Sequence, residues 1–438
     1  MKDSGIEWIE EIPKKWEIRR IKHIASLNGR IGWQGLTSAE YQDEGAYLIT
    51  GINFKNGEID WESCVHVPVE RWEEAEQIQI KNNDLLITKD GTIGKVAIVR
   101  NMPGATSLNS GVLLIRTEEN TNTRFLYWIL QSAVFWRWFR IINSGNSTII
   151  HLYQYDFCNF KFPYPSSKEQ TAIADYLDKK CASIDSIIEK EQRVIEKFTE
   201  YKQSVITEAV TKGLNPDVPM KDSGIEWIGA IPEGWEIQPL KTLVDILPGY
   251  AFSSNDFKTE GIRLLRGINI GVEKTRWDEV VYFSDEIDES LKLFVLEPGD
   301  IVVGLDRPWI NGGMRVAVIS EEDLPSLLVQ RVCRIRDGFQ GKSSFIHYVL
   351  MTRSFQEALT VEMTGVSVPH ISTGQIGNYR TAIPSLSEQQ KIVGFLDKKC
   401  VAIDNVITQK QQLIDKLTEY KKSLIYEMVT GKKEVPLC

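Results

Sequence analysis

The chain is written twice. Residues 1–22 read MKDSGIEWIEEIPKKWEIRRIK, and residues 220–241 read MKDSGIEWIGAIPEGWEIQPLK. Residues 169–211 likewise match residues 388–430, and both matches share one offset, 219 (residue 220 against 1, residue 388 against 169). An internal repeat of this length fixes the architecture before any single residue is considered. The order is head, variable middle and conserved tail, then the same again, filling all 438 residues.

The tails are helical. Apolar positions recur at Ile173, Leu177, Ile184, Ile188, Ile195, Phe198, Val205 and Ala209, and again at Ile392, Leu396, Ile403, Ile407, Ile414, Leu417, Leu424 and Met428. Steps of three, four and seven are a coiled-coil seam. Each helix should run about 44 residues, or roughly 65 Å at ~1.5 Å per residue. An antiparallel pair with aligned centres sets Leu177 against Leu424, Ile184 against Leu417, Phe198 against Ile403 and Val205 against Leu396. Its central layer is Glu191 against Lys410, opposite charges at equivalent places in the two repeats. Such a pair would relate the two globular parts by a pseudo-twofold axis.

The middles diverge but keep echoes. Leu48 to Asn53 resembles Leu264 to Asn269, Asp84 aligns with Asp300, and His151-Leu152 aligns with His370-Ile371. Short apolar runs bounded by Asn-Gly and Asp-Gly turns predict twisted antiparallel strands, with helices near residues 124–139 and 344–359. The fold class expected is therefore α+β: two strand-rich α/β globular units separated by two long helices forming an antiparallel coiled coil, a pseudo-twofold tandem repeat. The boundaries expected are 1–166, 167–214, 215–386 and 387–431.

Composition narrows the function. No apolar run is long enough to span a membrane, and residues 1–5 carry no apolar signal core. Six scattered cysteines without a CxxC, and only five histidines, argue against a disulfide framework or a zinc site and for a reducing cytoplasm. Gly341-Lys342-Ser343 imitates the end of a phosphate loop, but Arg336 stands where the first glycine is required. No HExxH and no Asn-Pro-Pro-aromatic motif is present. The expectation is no catalytic residue and no metal ligand.

The net charge of −9 argues against an unassisted nucleic-acid binder, but its distribution is uneven. Residues 120–155 and 363–387 contain no carboxylate. Basic and amide side chains in such stretches and in Gly/Pro-rich loops can meet phosphates and base edges. The DNA-binding candidates are Arg30, Trp33, Gln34, Lys89, Thr92, Arg137 and Arg140 in the first half, and Tyr250, Ser253, Arg307, Asn311, Arg315 and His370 in the second. Most of the tryptophans at 128–138 should be core. Two unlike readers on a rigid spacer suit two short DNA sequences separated by an unread gap. A self-contained DNA-cleaving enzyme with an unrecognised site, or a coiled-coil scaffold, are the alternatives.

The duplicated heads share Glu7-Trp8-Ile9, Ile12-Pro13 and Trp16-Glu17 with Glu226-Trp227-Ile228, Ile231-Pro232 and Trp235-Glu236. The helix entries pair Pro165, Glu169 and Gln170 with Pro384, Glu388 and Gln389. Leu177-Asp178-Lys179-Lys180 with Ile184-Asp185 repeats as Leu396-Asp397-Lys398-Lys399 with Ile403-Asp404. With these features the whole chain resembles the specificity (S) subunit of type I restriction-modification enzymes. The resemblance implies that each middle is a target recognition domain for half of a bipartite DNA site. It implies that the helices set the gap and dock two modification (methyltransferase) subunits, and that restriction (translocase/nuclease) subunits join the complex. S-adenosylmethionine, ATP and magnesium would be used by those partners, with no cofactor in this chain.

Overall fold

The computed structural model describes residues 1–31, 35–144, 150–310, 313–362 and 369–435. Two compact units emerge, Met1–Glu191 with Gln412–Cys438, and Gln192–Gln411. The first is built from two separate stretches of the chain and the second from one, and neither coincides with a sequence repeat. Each takes one globular middle, the beginning of one long helix and the end of the other.

In the first unit the strands of the two larger sheets are β1 (Ala25–Gly29), β2 (Ala46–Ile49), β3 (Val65–Val67), β4 (Leu85–Thr88), β5 (Val96–Ile98), β6 (Thr106–Leu108) and β7 (Val112–Thr117). An antiparallel sheet runs β5-β4-β7-β1, and a second runs β6-β2-β3. The two-residue period of a strand explains why these segments read as unbroken apolar runs. Leu85, Ile87, Leu113 and Ile115 join the core shared with the helices, while Leu86, Leu114 and Ala97 face a separate cluster around Ile49, Ile78 and Leu108. The sheet is covered on both sides. One expectation fails here: β6 lies parallel to β2, with Leu108 opposite Ile49. The long connection between them, which carries β3, β4, β5 and the short hairpin Phe54–Lys55 with Glu58–Ile59, gives room for a crossover.

The single helix expected at 124–139 is two, Thr123–Gln131 and Ala133–Ile142. Ser132 breaks it: its backbone is extended and its hydroxyl accepts from the Val134 amide, an N-cap. Trp128, Phe135, Trp138 and Phe139 are buried with Phe157 and Phe160, as a core reading of that aromatic run requires.

The second unit repeats this plan. The strands of its two larger sheets are β8 (Val244–Pro248), β9 (Ile262–Leu265), β10 (Tyr282–Phe283), β11 (Ile301–Gly304), β12 (Val316–Val318), β13 (Ser326–Leu328) and β14 (Val332–Asp337). The sheets run β8-β14-β11-β12 and β10-β9-β13, again with one parallel pair, β9 and β13. Helices Ser343–Leu350 and Arg353–Glu362 replace the one expected at 344–359, with the Thr352 hydroxyl accepting from Phe355 at the break. The diverged middles thus keep one topology.

The long helices span Ser167–Lys212 and Leu386–Val429. At their entries Gln170 and Gln389 are fully buried and accept the backbone amides of Asn122 and Lys342. The antiparallel pairing holds inside each unit. In the first, Leu177 and Leu424 share one core, with Ile184 in it and Leu417 packed against it. In the second, Leu396 is in the core and Val205 packs against it. Phe198 and Ile403 also fall in the second unit. Two ion pairs fix the direction. Lys421 reaches Asp185 at 2.6 Å, and Lys202 reaches Asp404 at 2.9 Å, the same contact displaced by one repeat. Glu191 ends the first unit's share of its helix and Lys410 belongs to the second unit, so the layer expected for them is not a contact within either. Among the described residues no helix is long and apolar enough to cross a membrane.

Candidate nucleic-acid interface

In each unit four loops meet at one end of the large sheet. In the first, the Lys89 amide donates to Gly111 O, the Leu152 amide to Lys89 O, and the Asn109 amide to Ile49 O. These bonds bring together the turn after β2, the loop after β4, the loop before β7 and the segment carrying His151. The Thr88 hydroxyl donates to Thr92 O at 2.5 Å and accepts from the Lys95 amide at 3.0 Å, which closes the β4–β5 loop. Gly94 makes this possible: its φ is +80°, and a Cβ there would stand 2.4 Å from the Trp136 ring. His151 Nδ1 meets Asp90 Oδ1 at 2.5 Å. Lys89, Thr92 and His151 therefore gather, and Arg140 lies one helical turn from the Trp136 that covers the loop.

The second unit builds the same arrangement around Asp306. His370 Nδ1 meets its carboxylate at 2.7 Å, and Arg331 Nη1 stands 3.5 Å away. Arg315 donates to the Asp306 backbone carbonyl at 3.1 Å. The Arg307 amide donates to Pro369 O, the Leu305 amide to Arg331 O, and the Ile371 amide to Leu305 O. Tyr250 joins from the other side, its carbonyl accepting from the Gln330 amide. Arg307 is exposed at φ +44°, while Arg315 is half-buried. Burial, then the neighbouring Arg276, depress the Arg315 pKa. Such crowding of like charge around one carboxylate is what an anion would relieve. Ser253 is exposed and caps the short turn Ser254–Asp256.

Several sequence expectations need correction. Arg30 is only 6% exposed. Its Nε donates to Leu108 O at 2.7 Å and its Nη2 to Ser107 Oγ at 2.8 Å, so it staples β1 to β6 rather than reading a base. Burial, then Arg71, lower its pKa. Arg137 donates to Trp8 O and lies over the Tyr426 ring, binding head to helix away from the loop cluster. The carboxylate-free stretch is not positive in space either. Arg124 within it is paired with Asp175 at 2.6 Å and Asp178 at 2.8 Å from the long helix. Trp33, Gln34 and Asn311 lie outside the described residues.

Asp90 and Asp306 lie in the Gly/Pro-rich loops that supply the DNA-binding candidates, but the histidine that each one holds was not foreseen. Their signal was the loop position, each following the strand that begins just after the equivalent Asp84 or Asp300. Those two aspartates cap turns, accepting the Lys81 and Glu297 amides, and pair with Arg116 and Arg336. The repeated motif residues Asp178 and Asp397 accept from Trp128 Nε1 and Tyr348 OH, anchoring each globular part to its helix.

The comparisons with known proteins agree with this reading. The model of the type I restriction modification DNA specificity domain matches twice, over residues 13–197 and 232–419. The MjaVIII specificity subunit of Methanocaldococcus jannaschii is 28% identical over 427 residues, covering 97% of this chain and 94% of that protein. The EcoAI specificity subunit of Escherichia coli is 33% identical over 239 residues, 53% of this chain and 40% of that one. Among solved structures, a chain from a type I restriction-modification system covers 97% of this chain and 100% of its own, with a TM-score of 0.72 at 14% identity. The HsdS subunit from Thermoanaerobacter tengcongensis covers 97% and 98%, with a TM-score of 0.52 at 16% identity. At such identities these two speak for the fold. With the family model covering both repeats, the chain belongs to the type I restriction-modification DNA specificity family.

Proposed function

We propose that this chain is the specificity subunit of a type I restriction-modification complex, without catalysis of its own. Each globular unit reads one half of a bipartite target in double-stranded DNA, and the paired helices set the unread gap. The observation that carries this is the pair of loop clusters: one frame, built twice, holds unlike side chains at the same end of the large sheet. Lys89 and Thr92 in one cluster, and Tyr250, Arg307 and Arg315 in the other, are the residues proposed to meet DNA. The helices dock two modification subunits that methylate adenine with S-adenosylmethionine. Restriction subunits supply ATP- and magnesium-dependent translocation and cleavage, all in the cytoplasm.

The test is co-expression with the modification subunit, followed by single-molecule sequencing of methylated adenines. A split motif that disappears when this chain is deleted is the expected result. Methylation that persists unchanged without the chain would overturn the reading.

A further inference from the structure

One short element is kept in both loop clusters while its surroundings have changed. It is the turn Gly51–Asn53 after β2 and its counterpart Gly267–Asn269 after β9. The residues on either side differ, Thr50 against Arg266 and Phe54 against Ile270. The turn is rigid. Asn53 and Asn269 are each 1% exposed. Each accepts the backbone amide three residues earlier, Thr50 at 2.7 Å and Arg266 at 3.1 Å. Their amide nitrogens donate onward, to Ser63 O in one unit and to Arg276 O and Glu279 O in the other.

The rigid turn pushes its middle residue outward. Ile52 is 80% exposed and Ile268 is 53% exposed. A lone exposed apolar residue needs no explanation. The same β-branched residue held out at the same place in two diverged units does. Each turn is also backed by a cation. Lys95 Nζ donates to Gly51 O at 3.3 Å, and Arg315 Nε donates to Ile270 O at 3.0 Å. Lys95 and Arg315 occupy equivalent places, immediately before β5 and β12. Apolar tips on a basic ground match the duplex, whose base and sugar surfaces lie between phosphates.

We infer that the Gly-Ile-Asn turn is a DNA contact shared by both readers, with Ile52 and Ile268 packed on apolar base and deoxyribose surface in a groove. The inference rests on the DNA-reading assignment above and adds a residue pair to it. Because both readers use it, the contact carries affinity rather than sequence choice. The loop residues around Asp90 and Asp306 differ between units and carry the choice.

The experiment uses the full chain in complex with its modification subunits, on a duplex carrying the methylated split motif. Ile52→Ala, Ile268→Ala and the double variant are compared by fluorescence anisotropy across a salt series. Each single variant should weaken binding roughly 3- to 10-fold and the double roughly multiplicatively. The slope of log Kd against log salt should not change, since no phosphate contact is removed. The methylated motif should also stay the same. Unchanged affinity in the double variant, with unchanged unfolding midpoint, would overturn the inference. An altered motif would overturn it too, because the isoleucines would then select sequence. If the unsubstituted complex binds no split duplex, the functional reading itself falls, and that outcome is distinct from the other two.

Discussion

The two loop clusters differ in chemistry and agree in construction. Both tether a histidine to an aspartate, His151 to Asp90 and His370 to Asp306, with the same strands beneath. Around that pair the first unit offers Lys89 and Lys95, while the second offers Arg307, Arg315 and Arg331. Lysine is a hydrated point charge; arginine is a planar fork that can bind two acceptors at once. Position is thus set by the frame and chemistry by a few loop residues. A frame that tolerates such exchange can change its target without changing its fold.

The strongest test of separate frames is a large core truncation in each. Phe135 and Phe355 are fully buried equivalents. Phe135→Ala and Phe355→Ala should each cost about 3–5 kcal/mol in their own unit. Hydrogen exchange followed separately in β4 and β11 reads this. Equal loss of protection in both strands would dissolve the distinction between units.

The cross-helix ion pairs should differ next. Lys202 is buried and serves two carboxylates, Glu273 and Asp404; burial opposes its charge, but these partners outweigh it and raise its pKa. The equivalent Lys421 has one partner and is more exposed. Lys202→Met should destabilise by about 1–3 kcal/mol, because two carboxylates lose their partner, and Lys421→Met by ~1 kcal/mol or less. Matching values in denaturant titrations would show that the added Glu273 contributes nothing.

Acid should also tell the units apart. Burial pushes the pKa of His347 down to about 4, whereas Tyr127, its counterpart in the first unit, is pushed up to about 12 by burial. The unfolded histidine binds its proton near 6.5, so the second unit is fully stable above that value and loses stability as pH falls toward about 4. The loss should reach about 1–3 kcal/mol. His347→Phe should flatten that limb of the pH–stability curve; an unaltered limb would assign it to other groups. The smallest effects lie at the interface. Lys89→Ala and Arg307→Ala should each weaken DNA binding a few-fold and lower the salt slope by about 1. A slope change in only one would show that the two clusters do not both meet phosphate.

What could be read from sequence was whatever repeats locally. The seam from Leu177 to Leu424 follows from period, and the equivalence of His151 and His370 from the offset. The parallel pairing of β2 with β6 was hidden because its partners lie far apart in the chain with several strands between. The helix break was signalled by Ser132, a good N-cap residue, but the aromatic run around it outweighed a single serine. Arg30 misled because a Gly-rich loop looks exposed in sequence, while its burial depends on the distant carbonyl of Leu108. The carboxylate-free stretch 120–155 misled for the reverse reason, since the carboxylates that pair with its Arg124 come from the long helix.

The way each unit borrows its helices governs synthesis. The core of the first unit includes Leu424, Ile425, Met428 and Val429 beside Leu177 and Cys181. The second unit needs nothing beyond Gln411. At ~5–20 residues per second, the ribosome takes about 10–40 s to cross the roughly 220 intervening residues. For that interval the earlier-made unit lacks Leu424, Ile425, Met428 and Val429 from its core. The segments that close the first unit's core are thus the last to be translated, whereas every residue of the second is in hand once Gln411 is made.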